Sequence, residues 1–128
     1  KREMTMKIRI GISGSKEYTN KTGMKEYFFK LKELFGDNLE IVTRGKVHGA
    51  EKLAKKMSNL FDIEYKEVKP LYKTIKKIKY SNKVEFKNSK DFSNKLDTLV
   101  IFGEDLSEAL KASINYLKEE NKKVIFRK

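Results

Sequence analysis

The chain has 128 residues, enough for one ordinary domain with a real core, and its 38% hydrophobic content leaves little apolar surplus. It carries 30 Lys and Arg against 18 Asp and Glu, a net charge of +12. The lack of cysteine excludes disulfides and argues against a structural zinc site, and no apolar run approaches the ~18 residues that a membrane span needs.

The elements follow in order. Lys7-Ile8-Arg9-Ile10-Gly11-Ile12-Ser13 alternates and is β-branched, which predicts strand 1, broken by Gly14-Ser15-Lys16. Ile8–Ile12 is the only apolar run near the beginning and is too short for a secretory signal, so a cytoplasmic protein is expected. Asn20 or Thr22 can cap the next helix, whose Met24, Phe28, Leu31 and Phe35 share one face. Gly36-Asp37-Asn38 ends it, and Leu39–Val42 is strand 2. A second helix has Val47, Ala50, Leu53, Ala54, Met57, Leu60 and Phe61 on one face. Ile63–Val68 alternates as strand 3, and Pro70 stops it.

Residues 71–95 form a basic insert in which lysines interleave with Tyr72, Tyr80, Phe86 and Phe92. A loop or short helix is expected first, then a helix near Ser89–Lys95. The continuous apolar run Leu99–Phe102 predicts a strand buried on both faces, and Gly103 turns the chain. Asp105 and Glu108 make an acidic capping box for a helix with Leu106, Ala109, Leu110, Ile114 and Leu117 inward, and Val124–Phe126 is the last strand.

Strands alternating with helices predict an α/β fold: one Rossmann-like, doubly wound domain over 1–128, with a parallel sheet of about five strands in the order 3-2-1-4-5. Chain direction then reverses between strands 1 and 4, and ligands bind outside the carboxyl ends of strands at such a switch point. Gly14, Ser15 and Lys16 would line that crevice with Gly103, Glu104 and Asp105, and the loop Arg44–Gly49 would sit beside it.

That loop is the most informative stretch. Thr43-Arg44-Gly45-Lys46-Val47-His48-Gly49-Ala50-Glu51 leaves a strand and opens a helix, and holds the single histidine. Such a loop aims N–H groups and a helix dipole at one spot suited to an anion. Arg44 and Lys46 add positive charge, and His48 can bond a phosphate or ribose oxygen. As a general base, His48 has Glu51 one turn on as its one evident partner. Capping accounts for Asp105 and Glu108, and leaves Glu104 as the acid to hold ribose hydroxyls or transfer a proton. The catalytic candidates are therefore Glu104, Glu108 and His48. No G-x-G-x-x-G or P-loop is present, and no His and acid spacing suggests a metal. No cofactor is expected. The charge has two readings, a solvated lysine-rich surface or an anionic partner. Arg2, Arg9, Arg44 and Arg127 are the only arginines among the 30 bases, which favours the first.

Nearly the whole chain resembles the SLOG superfamily, a Rossmann-like group that includes DprA-type DNA-processing proteins and lonely-guy-type phosphoribohydrolases. It looks most like the YspA-like branch. The turn Gly14-Ser15-Lys16 matches that branch's G-S-[RK], and Gly45–Glu51 matches its G-x-x-x-G-A-[DE]. Lys87-Asn88 matches an [RK]-N pair, and Asp97 matches an Asp before strand 4. The family's glycine-rich G-G-x-x-G-[TS] loop is replaced by Gly103-Glu104-Asp105-Leu106-Ser107, with Ser107 at the Thr position, and the phosphoribohydrolase signature is missing. The resemblance implies a cytoplasmic homo-oligomer that senses or sequesters a nucleotide or nucleotide-derived ligand, such as an ADP-ribose derivative or cyclic nucleotide, in conflict systems including those of phages. The expected ligand residues are Gly14, Ser15, Lys16, Arg44, Gly45, Lys46, His48, Gly49, Glu51, Asn88, Gly103, Glu104, Asp105 and Ser107. Alternatives are a hydrolase of N-glycosidic or phosphoester bonds and a nucleic-acid binder of the DprA-like kind. No membrane partner is expected.

Overall fold

The computed structural model describes residues 7–68, 90–103 and 108–127. Five strands, β1 (Ile8–Gly14), β2 (Leu39–Thr43), β3 (Glu64–Glu67), β4 (Thr98–Phe102) and β5 (Lys123–Arg127), form one sheet. Every neighbouring pair is parallel, in the order β3-β2-β1-β4-β5 that the alternation of elements predicts. Helices α1 (Lys21–Phe35) and α2 (Gly49–Leu60) precede the helical residues 90–94 (α3), and α4 (Glu108–Glu119) joins β4 to β5. The rest of the basic insert lies outside the described residues; its helical tail fits the helix expected near Ser89–Lys95.

The pleat sends alternate side chains of the central strands to opposite faces. Ile10 and Ile12 of β1 and Val100 and Phe102 of β4 pack with Met24, Phe28 and Leu31 of α1 and Leu53, Ala54 and Met57 of α2. Leu99 and Ile101 turn the other way, to Phe92 of α3, Leu96, and Leu110, Ile114 and Leu117 of α4. The two layers explain why Leu99–Phe102 is an unbroken apolar run. Gly11 also faces the second layer. A Cβ there would stand 2.4 Å from Leu96 Cδ1, so the missing side chain makes room for Leu96.

Of the two predicted caps of α1, Asn20 does the work: its side chain accepts the Gly23 N–H at 3.0 Å. Asp97 fixes the start of β1 against the approach to β4. Its carboxylate accepts the Arg9 N–H and its own N–H donates to the Arg9 carbonyl, both at 2.8 Å. Two expectations about α2 are corrected. Val47 and Leu60 are 70% and 58% exposed rather than on the inward face. Val47 precedes the helix, and Leu60 is its last residue, turned outward while Ser58 is buried and Phe61 packs against the core. Strand β3 is also shorter than Ile63–Val68. Ile63 packs into the core and the Val68 N–H donates to the Thr43 carbonyl at 2.7 Å. No helix among the described residues is long and apolar enough to cross a membrane.

Candidate functional site

Three loops meet at the carboxyl edge of the sheet, where β1 and β4 lie side by side and the chain reverses direction. Ser15 is the junction. Its N–H donates to the Phe102 carbonyl at 3.0 Å, and its carbonyl accepts the Ala50 N–H at 3.1 Å and the Tyr18 N–H at 3.2 Å. The first bond ties the β1–α1 loop to the end of β4, and the second ties it to the first turn of α2. The contacts are close enough to need glycine. A Cβ on Gly49 would stand 2.3 Å from the Ser15 carbonyl oxygen, and one on Gly14 would stand 2.0 Å from the Phe102 carbonyl oxygen. Gly49 and Gly14 have φ of 68° and 149°, which an L side chain also resists. These glycines serve the approach of one backbone to another. The Gly103 N–H is taken by the Arg127 carbonyl at 2.9 Å, which anchors the end of β4 to β5.

The Arg44–Gly49 loop is organised from beneath by Glu51. This carboxylate is 1% exposed and accepts the N–H of Arg44 at 2.9 Å and of Lys46 at 3.3 Å. Ser13 Oγ on β1 adds a longer hydrogen bond at 3.4 Å. A buried carboxylate is costly unless hydrogen-bonded, and here the loop's own N–H groups supply those bonds. Burial nevertheless dominates, and it pushes the Glu51 carboxyl above its ordinary value against the opposing pull of the Lys46 and Arg44 N–H groups. The Gly45 N–H is occupied as well, donating to Thr43 Oγ1 at 3.0 Å. Three successive N–H groups that the sequence offers to an external anion are thus bonded inside the protein. The Glu51 carboxylate is committed to these groups rather than to His48.

Arg44 is similarly turned inward. Its guanidinium donates to Ser113 Oγ on α4 at 2.6 Å and lies over the Phe92 ring of α3, 4.8 Å from the centroid. At 9% exposure it bridges the β2–α2 loop to the second core layer rather than facing solvent. A chain of hydroxyls continues sideways from the loop. Thr43 Oγ1 and the Tyr65 hydroxyl are 2.8 Å apart, and Tyr65 donates to Glu67 at 2.8 Å. Since Tyr65 donates to the carboxylate, Thr43 donates to Tyr65 while accepting from Gly45.

Lys16, Lys46 and His48 remain exposed at this edge, with Ser15, Gly45, Gly49 and Gly103 half-buried between them. His48 occupies the cap position of α2 in an extended conformation, and its side chain makes no capping bond. The structure therefore brings together Gly14, Ser15, Lys16, Arg44, Gly45, Lys46, His48, Gly49, Glu51 and Gly103, with Arg44 and Glu51 as buried supports. Asn88, Glu104, Asp105 and Ser107 lie outside the described residues, and of Glu108 only its place at the start of α4 is described. The sequence did not single out Ser13, Thr43 or Tyr65. Glu51, Ala54 and Ser58, spaced along one inward row of α2, were the available signal that Glu51 is buried. No group of three or more potential metal ligands occurs among the described residues. No protein-family model, curated protein or solved structure matches the chain.

Proposed function

We propose that the chain is a SLOG-type module that binds a nucleotide or nucleotide-derived ligand at the carboxyl edge of its sheet, as a sensor or sequestering protein. The observation that carries the reading is the junction at Ser15, which holds the β1–α1 loop, the start of α2 and the end of β4 together at the reversal of strand order. Exposed Lys16, Lys46 and His48 surround that junction and supply positive charge and donors for a phosphate. The ligand contacts these side chains, while Arg44 and Glu51 hold the loop in shape beneath them.

The test is calorimetry with ADP-ribose, cyclic nucleotides and nucleoside monophosphates on the wild type and on a Lys16→Ala, Lys46→Ala double variant. Both substitutions are on exposed side chains and leave the core intact. A ligand should bind the wild type and lose at least about tenfold in affinity in the variant, since each charge-assisted contact is worth about 1.5 kcal/mol or more. Binding that is indifferent to both lysines, or no binding across the panel, would remove the assignment.

A further inference from the structure

The strand register sets one row of residues across the carboxyl edge of the sheet. Gly14 of β1 is the partner of Phe102 in β4, and Phe102 is the partner of Arg127 in β5. Neighbouring strands stand about 4.8 Å apart, so the Arg127 backbone lies roughly 10 Å from Gly14, on the far side of β4. Its carbonyl holds the Gly103 N–H, which fixes the end of β5 to the turn that leaves β4. Its guanidinium lies over the Tyr27 ring of α1, 4.6 Å from the centroid. Tyr27 and Tyr18 both pack on the Phe102 ring, at centroid distances of 5.8 and 5.4 Å. Burial raises both phenols above their ordinary value, and the charge of Arg127 opposes that rise at each, which places the guanidinium close to both rings.

Among the described arginines, Arg9 bonds Glu40 and Arg44 bonds Ser113, whereas Arg127 makes no side-chain hydrogen bond or ion pair with any described residue. It is also exposed, and an exposed cation over a ring adds little to stability. The ring instead holds the planar fork in one orientation, so little further freedom is lost when the fork meets an anion. We propose that Arg127 binds a second anionic group of the ligand, such as the terminal phosphate of a nucleoside diphosphate, while the first phosphate sits among Lys16, Lys46 and His48. The proposal rests on the nucleotide reading of the Ser15 junction and adds to it a residue that selects ligands with two anionic groups over ligands with one. Gly103, between the two positions, has no side chain to part them.

The experiment titrates AMP against ADP, and GMP against GDP, by calorimetry. The proteins are the wild type, Arg127→Ala, Arg127→Lys and Lys123→Ala, each confirmed to be folded by circular dichroism. Lys123 is exposed at the other end of β5 and controls for the loss of one positive charge. The wild type should bind at least one diphosphate about tenfold or more tighter than its monophosphate, as one charge-assisted contact provides. Arg127→Ala should erase that preference and leave the monophosphate within about twofold of its wild-type affinity. Arg127→Lys should keep part of the preference, because an ammonium supplies charge without the fork, and Lys123→Ala should keep all of it. A preference that survives in Arg127→Ala, or a wild type that binds mono- and diphosphates alike, overturns the proposal and leaves the nucleotide reading standing. An equal loss of preference in Lys123→Ala does the same, by showing general charge attraction only. A wild type that binds none of the four nucleotides overturns both.

Discussion

The Glu51 carboxylate accepts the main-chain N–H of Arg44 at 2.9 Å, and so an acid of the chain itself stands where an external anion would otherwise meet the loop. The N–H of Lys46 is held by the same carboxylate oxygen at 3.3 Å. The loop is therefore shaped before any ligand arrives, and the Lys46 side chain rather than these N–H groups faces outward.

Glu51→Ala leaves two loop N–H groups without an acceptor and a void on the inner face of α2. It should destabilise the fold by about 2–4 kcal/mol, whereas Glu51→Gln keeps an acceptor and should cost less. The two proteins should also diverge with pH. Burial raises the Glu51 carboxyl above its ordinary 4.5, so the folded state holds the proton more tightly than the unfolded chain does. The stabilisation this gives is complete below 4.5 and is lost as pH rises through the folded value. Glu51→Gln does not titrate, so its stability relative to the wild type should improve as pH rises above 4.5. Urea unfolding of both proteins at a series of pH values checks this, and a constant difference would show that the carboxyl is not perturbed.

Gly49 and Gly36 separate backbone strain from crowding. Both have positive φ, 68° and 56°, but a Cβ on Gly36 meets nothing within 4 Å while one on Gly49 runs into the Ser15 carbonyl. Gly36→Ala should cost about 1–3 kcal/mol from backbone strain alone, since φ 56° with ψ −133° is a conformation essentially confined to glycine. Gly49→Ala should cost about 3 kcal/mol or more, because Ser15 must also give way. Equal losses in denaturant unfolding would mean that the loops are not packed as closely as the Ala50 to Ser15 hydrogen bond requires.

The strand order was legible because the apolar pattern changes period from element to element and the connections have helical length. Leu99–Phe102 announced a strand covered on both sides, and Met24, Phe28 and Leu31 announced the inward face of α1. The glycines of the site were legible as positions of close approach, but what approaches them was not: Gly49 faces the Ser15 carbonyl and Gly14 that of Phe102. Charged residues were read least well. Arg44 and Glu51 look like surface groups in a basic loop, because a one-dimensional pattern cannot show that Ser113, some seventy positions away, waits to accept a guanidinium. Leu60 failed for the opposite reason. Its hydrophobicity continued the stripe, yet α2 ends there and the surface it would cover is open.

Arg44 gives a direct test of that second point. If the guanidinium is a buried strut, Arg44→Ala should lower stability by about 3 kcal/mol, and Arg44→Lys should recover only part of it. An ammonium cannot bond Ser113 and lie flat over Phe92 together. A double-mutant cycle with Phe92→Leu should return a coupling of about 1–2 kcal/mol. A coupling near zero, with Arg44→Ala close to wild type in stability, would place the arginine in solvent.

Tyr65 reports on the other support of the loop. Its hydroxyl receives the Thr43 hydroxyl and donates to Glu67, and Thr43, which is fully buried, in turn holds the Gly45 N–H. Tyr65→Phe leaves the Thr43 hydroxyl without its acceptor and should cost about 1–2 kcal/mol at neutral pH. Burial is the main cause that raises the Tyr65 phenol above its ordinary 10.0, and the adjacent Glu67 carboxylate adds to it. A raised phenol contributes stability that is complete below 10.0 and is lost as pH rises toward the folded value. The wild type should therefore lose its advantage over Tyr65→Phe as the pH is taken above 10.0. Ultraviolet titration should show the variant missing a late-ionising tyrosine. If the missing tyrosine ionises at its ordinary value instead, the hydroxyl is not held between Thr43 and Glu67, and the loop is supported by Glu51 alone.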